Sequence, residues 1–199
     1  MYPYLKIVFD FFISLMVLIL LLPLLILVSI LVFISSGMPI FFYQKRIGKN
    51  WDEFNLIKFR TMIKNADKMG LNISSSDDKR ITKLGKILRK FKLDEIPQFF
   101  NVLIGDMSLV GPRPEVYKYA SHFSEDYNTI LTVKPGISDY ASVEFRNEER
   151  LLSNKPDKEN FYLSEILPKK IMLNKKYIKE MSFVTDLKII FKTIAAIFR

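Results

Sequence analysis

From Phe11 to Gln44 the chain carries no charged residue, and Phe11 to Ile34 is nearly all Leu, Ile, Val, Phe and Met. As one helix, roughly 24 residues at ~1.5 Å each would reach ~36 Å, more than the ~30 Å hydrocarbon core of a bilayer. The run reads as a retained membrane helix. A cleaved signal peptide would be shorter and would end in a small-residue cleavage site before the basic Lys45-Arg46. Pro23, at the midpoint, removes a helical hydrogen bond and is expected to break the helix. With Lys6 beside Asp10 on one flank and Lys45, Arg46 and Lys49 on the other, both ends fit one membrane face, as a helix that turned back at Pro23 would place them. A single kinked span is the alternative.

The whole chain is 199 residues, enough for one catalytic domain plus such an accessory element. We divide it into a membrane-inserted segment, 1–39, and a soluble domain, 40–199. The absence of cysteine excludes disulfides, thiolate nucleophiles and Cys-ligated zinc, and His122 is the only histidine, so no His-based metal cage can form. Any chemistry rests mainly on carboxylates and cations. The net charge of +9 implies an anionic partner, whether nucleic acid, acidic lipid or a phosphorylated substrate. Aromatics sit in apolar runs rather than between lysines along a groove, which speaks against nucleic acid.

The chemistry-bearing stretch runs from Leu93 to Glu115, LDEIPQFFNVLIGDMSLVGPRPE. Pro97 suits the first turn of a helix whose apolar stripe is Phe99, Phe100 and Leu103, so Asp94 and Glu95 are expected at its N-terminus, where both carboxylates should stay ionised. An ionised carboxylate can attack phosphorus or, with a partner oxygen, hold Mg²⁺ against a diphosphate. Pro112 and Pro114 flank Arg113 and present its guanidinium stiffly, as bidentate phosphate binding requires. Taken alone, the Asp-Glu pair reads first as a helix cap followed by a surface turn, since acids near helix starts are common.

Around this stretch the expected elements are few. Ile40–Tyr43 and Phe54–Phe59 form a small hairpin, with Lys58 and Arg60 on one strand face. Residues 62–69 suggest a short amphipathic helix, and 72–79 a polar loop. Leu84, Ile87, Leu88 and Phe91 recur at helical spacing opposite Lys83, Lys86, Arg89, Lys90 and Lys92, and Arg89, about one turn before Asp94, is in reach of the same phosphate. Residues 117–127 read as a helix in which His122 has no catalytic role. Lys134–Tyr140 make a turn into a strand, and 153–159 a polar loop. Residues 183–198 read as an amphipathic helix with Leu187, Ile190, Phe191, Ile194 and Ile197 on one side and Lys188, Lys192 and Arg199 elsewhere. The fold class is therefore α+β, mostly helical: a Pro-broken re-entrant helix, a small β-hairpin, and interfacial amphipathic helices around a compact domain.

Five words in order, Gln44-Lys45-Arg46-Ile47-Gly48, Lys58-Phe59-Arg60-Thr61-Met62, Leu93-Asp94-Glu95-Ile96-Pro97-Gln98, Gly105 to Pro114, and Pro135-Gly136, make the chain resemble the bacterial sugar transferase family, the small monotopic phosphoglycosyl transferases. The resemblance implies transfer of a sugar 1-phosphate from a UDP-sugar donor to a polyprenyl phosphate acceptor such as undecaprenyl phosphate, at the cytoplasmic face of the bacterial inner membrane. It implies Asp94 as nucleophile through a covalent phosphosugar intermediate with UMP released, Glu95 as a ligand of the cofactor Mg²⁺, and Lys58, Arg60, Arg89, Pro112 and Arg113 as substrate contacts. Its partners are the donor, the acceptor and the phospholipid membrane, with no nucleic acid; a homodimer is left open. The family's membrane break is Ser-Pro, here Leu22-Pro23, and its Trp and Gln after Pro-Gly are here Tyr140 and Ser142. Outside the resemblance, a membrane-anchored basic module that binds acidic lipid or nucleic acid without catalysis explains the charge but not the acidic pair or the ordered words.

Overall fold

The computed structural model describes residues 2–66, 69–70, 73–153 and 155–197. The apolar run folds as two helices, α1 (Tyr2–Leu20) and α2 (Leu22–Ser36), bent by 62°. The bend lies at Leu21, and Pro23 occupies the first turn of α2, where its missing N–H costs that helix nothing. At ~1.5 Å per residue the 19 residues of α1 and 15 of α2 make arms of roughly 28 and 22 Å, each short of the ~30 Å core. Among the described residues no single helix is long and apolar enough to cross a membrane.

The first helix begins before the uncharged run, because its charges are satisfied against the rest of the chain. Lys6 pairs with Asp186 at 2.5 Å, Tyr2 donates to the same carboxylate, and Asp10 accepts from Ser108 Oγ at 2.6 Å. At the far end of the pair, Arg60 Nη2 donates to the Ser36 and Gly37 carbonyls, which close α2.

Strands β1 (Phe41–Ile47) and β2 (Glu53–Phe59) form the expected hairpin, antiparallel, with Phe42 opposite Lys58 and Arg46 opposite Phe54. The helix expected over 62–69 does not start at Met62, which bridges Ile81 while the Ile63 N–H donates to the Arg80 carbonyl; Asp67 and Lys68 lie outside the described residues, as do Asn72 and Asn154 of the two polar loops. Helix α3 (Lys83–Lys90) is capped by Thr82, whose Oγ1 accepts the Gly85 N–H at 2.9 Å. It packs so closely on Thr61 that a Cβ on Gly85 would come within 2.0 Å of the Thr61 carbonyl oxygen. Its outer face shows Ile87 and Phe91 among Lys83, Lys86 and Lys90.

Helix α4 (Gln98–Ile104) leads to β3 (Ser108–Val110), which pairs in parallel with β4 (Gly136–Ser138). Between these strands α5 (Tyr117–Ala120) and α6 (Ser124–Ile130) replace the single helix expected over 117–127, broken at a tight turn that leaves His122 exposed. Helix α7 (Tyr140–Glu144) follows β4 at once, so Tyr140 and Ser142 are helical, and the Tyr140 hydroxyl turns away to Glu180 at 3.1 Å. Then come α8 (Glu148–Ser153), α9 (Lys158–Phe161), a π-helical turn at Tyr162–Ile166, α10 (Leu167–Glu180) and α11 (Phe183–Ile197). The apolar side expected for the last helix is split. Asp186 and Ile189 face inward while Phe191 and Ile194 are exposed; Phe198 and Arg199 lie outside the described residues.

The largest apolar cluster joins Ile47, Tyr119, Tyr127, Ile130, Tyr162 and Ile166. A second joins Leu18, Leu25, Val28 and Val32 of the bent pair to Phe59, Leu88 and Ile96. The fold is mostly helical with small sheets, as an α+β chain, and the bent pair is part of its packing.

Candidate active site

Ile96, whose side chain packs in the cluster shared with α2, fixes the position of the two residues before it. Asp94 and Glu95 sit in a one-turn 3₁₀ helix, Leu93–Glu95, entered through Lys92 in the left-handed conformation at φ 57°. They therefore precede α4, which starts only at Gln98, and occupy the turn that joins α3 to α4. Asp94 is buried, and its Oδ1 has no hydrogen-bond partner.

Glu95 is enclosed by cations. Arg113 meets it with both terminal nitrogens, Nη2 at 2.5 Å from Oε1 and Nη1 at 3.3 Å from Oε2, while Lys58 Nζ and Lys92 Nζ stand 3.8 and 3.9 Å from Oε1. This splits the acidic pair. For Asp94, burial and then the Glu95 charge push the carboxyl upward, against Lys58, Arg89 and Lys92. For Glu95, burial works against the charge but Arg113, Lys92 and Lys58 outweigh it and hold the carboxyl well below its usual range. The two neighbouring carboxyls are thus shifted in opposite directions, and at Asp94 burial acts where a helix terminus was expected. Lys58 is lowered to about 8, by burial above all, with Arg113 and Arg46 adding to it and Glu95 opposing.

Arg113 is held by its backbone as well as by Glu95. Gly111 N–H donates to Ser138 O at 3.0 Å, Gly136 N–H to Pro112 O at 2.9 Å, and Arg113 N–H to Asp139 Oδ2 at 3.1 Å. The approach of these two segments demands glycine, since a Cβ on Gly111 would lie 2.5 Å from the Lys134 carbonyl. Asp139 is fully buried, and its other oxygen caps α7 through the Ser142 N–H.

The structure brings Asp94, Glu95, Lys58 and Arg113 together, with Pro112 shaping the loop. Arg89 is close enough for its charge to act on Asp94, yet its guanidinium is spent on Thr61, Ser74 and Glu149 at 2.8 to 2.9 Å. Arg60 is not part of the group. It lies just beyond β2, buried, and closes α2, as Pro23 opens it. Sequence reasoning missed Asp139, whose spacing to Ser142 is an N-cap signature, and Asn101. The latter is fully buried and joins α4 to β2, accepting from Ile57 N–H at 3.0 Å and donating to Asn55 O at 2.8 Å. Nothing in the local sequence marks that amide. Among the described residues no group of three or more Asp, Glu, His or Cys could hold a metal.

The family description "bacterial sugar transferase" matches residues 1–199. The chain belongs to that family. Among its relatives in the bacterial sugar transferase family, it is 35% identical to the UDP-N-acetylgalactosamine-undecaprenyl-phosphate N-acetylgalactosaminephosphotransferase of Aeromonas hydrophila, over 98% of this chain and 44% of that protein. It is 33% identical to the exopolysaccharide production protein ExoY of Sinorhizobium fredii, over 95% and 83%. With the UDP-glucose:undecaprenyl-phosphate glucose-1-phosphate transferase of Escherichia coli the identity is 34%, over 93% and 38%. The chain thus spans less than half the length of the first and third of these transferases.

Proposed function

We propose that the protein moves a sugar 1-phosphate from a UDP-sugar to a polyprenyl phosphate, as the first membrane step of polysaccharide or glycoconjugate synthesis. The observation that carries this reading is a buried carboxylate with an unpartnered oxygen, Asp94, set beside Glu95, Lys58 and Arg113 and packed through Ile96 onto the apolar helix pair. A diphosphate and a lipid head group need those two surroundings at one place.

In the proposed reaction an Asp94 oxygen attacks the β-phosphorus of the donor. The bond from that phosphorus to the oxygen bridging the α-phosphate breaks, its electron pair stays on the bridging oxygen, and UMP leaves. An oxygen of the lipid phosphate then attacks the phosphosugar-enzyme, Asp94 departs as carboxylate, and the product is a polyprenyl diphosphate sugar. Burial makes the Asp94 anion poorly solvated and so more nucleophilic, while Arg113 and Lys58 stabilise charge developing on the phosphate oxygens. Mg²⁺ fits the oxygen donors present: Asp94 and Glu95 are hard ligands, too few to hold the ion alone, and Mg²⁺ commonly completes its shell with water and substrate phosphates. When bound it would neutralise charge on the diphosphate; Glu95 would hold it once Arg113 had turned to phosphate.

Residues 1–39 then form a re-entrant membrane hairpin and 40–199 a catalytic domain on the cytoplasmic face. This reading is supported by the bend and by the two attachments of the pair's ends, Lys6 to Asp186 and Arg60 to the end of α2, both made to the same domain. Exposed apolar side chains beside lysines on α3, and Phe191 and Ile194 on α11, suit the interface.

The test is nucleotide release from the detergent- or nanodisc-held protein, given Mg²⁺, undecaprenyl phosphate and a panel of UDP-sugars, with Asp94→Asn in parallel. UMP from wild type and none from the variant is the expected result. Release of UDP would mean that the sugar moves without its phosphate, and no nucleotide from any donor with folded protein would leave a basic lipid-binding module.

A further inference from the structure

We infer that Tyr162 is a positioning residue whose phenol, through Glu115 and Arg46, sets the loop Pro112–Glu115 so that Arg113 meets the donor diphosphate. The inference rests on the transferase reading above. The first half of the loop is tied to β4 and Asp139, as described. Its second half depends on a carboxylate in the core. Glu115 and Tyr162 are both buried, and every Glu115 oxygen has a partner: Oε1 accepts from Arg46 Nη1 at 3.1 Å and from the Val116 N–H at 2.8 Å, and Oε2 from the Tyr162 hydroxyl at 2.5 Å. The same Arg46 nitrogen donates to the Pro114 carbonyl at 3.1 Å, and Gln44 Oε1 holds the other side of that guanidinium at 2.8 and 3.2 Å. Arg113 is thus bracketed by a backbone bond on one side and a charged side-chain network on the other.

Tyr162 is the member of that network supplied by the C-terminal third of the chain. It opens the π-helical turn Tyr162–Ile166 between α9 and α10, a rare geometry that recurs at functional sites and re-aims side chains relative to a regular helix. Burial, followed by the charges of Glu115 and Glu148, keeps its phenol far above the ordinary range, so the hydroxyl remains a donor at any assay pH. Lys170 Nζ, 3.4 Å from that hydroxyl, pairs with Glu148 at 2.5 Å, and the Glu148 charge acts on Arg113 as well. The C-terminal helices therefore reach Arg113 by two routes, one of them through Tyr162.

Removing only the hydroxyl, Tyr162→Phe, leaves a buried carboxylate oxygen unpaired and lets Glu115, and with it the loop, shift. Arg113 contacts the donor before and during the chemical step, so a looser loop should weaken uniform binding. Steady-state kinetics with whichever of UDP-N-acetylgalactosamine, UDP-glucose and UDP-galactose the wild type turns over should show donor KM raised about ten-fold and kcat within about two-fold. Glu115→Gln, which keeps the side chain's volume, should raise KM in the same direction and decides the matter if Tyr162→Phe does not fold. A residue that merely stabilises the core would lower the folded fraction, reducing apparent kcat and the melting temperature at unchanged KM; that pattern, or unchanged KM in both variants, overturns the inference. Wild-type protein inert towards every donor would instead remove the transferase reading and this inference with it.

Discussion

Glu95 and Arg113 are each other's closest partners, and each is also what the proposed substrates need. A diphosphate entering the site would compete with Glu95 for the guanidinium, and the carboxylate so released would become available to a cation. This exchange predicts an asymmetric effect of Glu95→Gln. With EDTA present, calorimetric binding of the UDP-sugar should tighten about five-fold, because a competing negative charge has gone, while turnover with Mg²⁺ should fall by orders of magnitude. Arg113→Lys should weaken donor binding at least ten-fold, since an ammonium cannot reproduce the two-pronged contact. Lys58 gives a pH signature. Its value of about 8 lies below the ordinary one for lysine near 10.4, so between those limits the unfolded chain binds a proton that the folded one does not, and folding stability from this group rises with pH. Denaturant unfolding at pH 7.5 and 9.5 should show wild type gaining on Lys58→Met at the higher pH; an equal gain in both would remove Lys58 as the source.

At the scale of elements, the acidic turn is placed by what packs beside it. Asn101 lends β2 an amide in place of a neighbouring strand, bonding Ile57 N–H and Asn55 O from within α4. Asn101→Ala should cost about 2–3 kcal/mol in urea unfolding, because two backbone groups lose their partner inside the core. A variant equal to wild type would mean that β2 stays on α4 without it. Much of this level was legible in the sequence. The hairpin showed in its two apolar runs, α3 in its repeat of Leu84, Ile87, Leu88 and Phe91, and the Gly-Pro-Arg-Pro turn in its composition, because local spacing determines each. What could not be read depends on contacts between distant residues: the extended pairing of Met62 with Ile81, the break between α5 and α6, and the inward turn of Asp186 on α11. The site divides in the same way. Asp94, Glu95, Lys58 and Arg113 belong to short recognisable words, whereas Asp139 and the Arg46–Glu115–Tyr162 network acquire meaning only when 47 residues of separation between Glu115 and Tyr162 collapse to one hydrogen bond. Arg60 shows the limit of strand alternation, since one position past the end of β2 sends its guanidinium to α2 instead.

On the scale of the whole molecule, the apolar pair and the rest of the chain are joined at both ends of the pair. Tyr2 and Lys6 hold the start of α1 to Asp186, and Arg60 holds the end of α2, with Leu25, Val28 and Val32 packed on Phe59, Leu88 and Ile96 between them. A helix that crossed the bilayer would carry its start to the side opposite the domain and would sacrifice the Asp186 contacts, leaving a buried carboxylate without its cation. The two attachments and the arm lengths therefore predict one topology: both ends on the catalytic side. The chain has no cysteine, so single substitutions report without background. Tyr4 is well exposed near the start of α1, and the Lys45 side chain, in β1, the strand that follows α2, is 75% exposed. Tyr4→Cys and Lys45→Cys should both react with a membrane-impermeant maleimide in inside-out vesicles, and neither in intact spheroplasts. Labelling of Tyr4→Cys from the outside alone would establish a span. Asp186→Asn adds a thermodynamic handle, because weakening the contacts to Lys6 and Tyr2 should let a fraction of Tyr4→Cys molecules become reactive from outside if those contacts, rather than the bend at Leu21 alone, hold the hairpin closed.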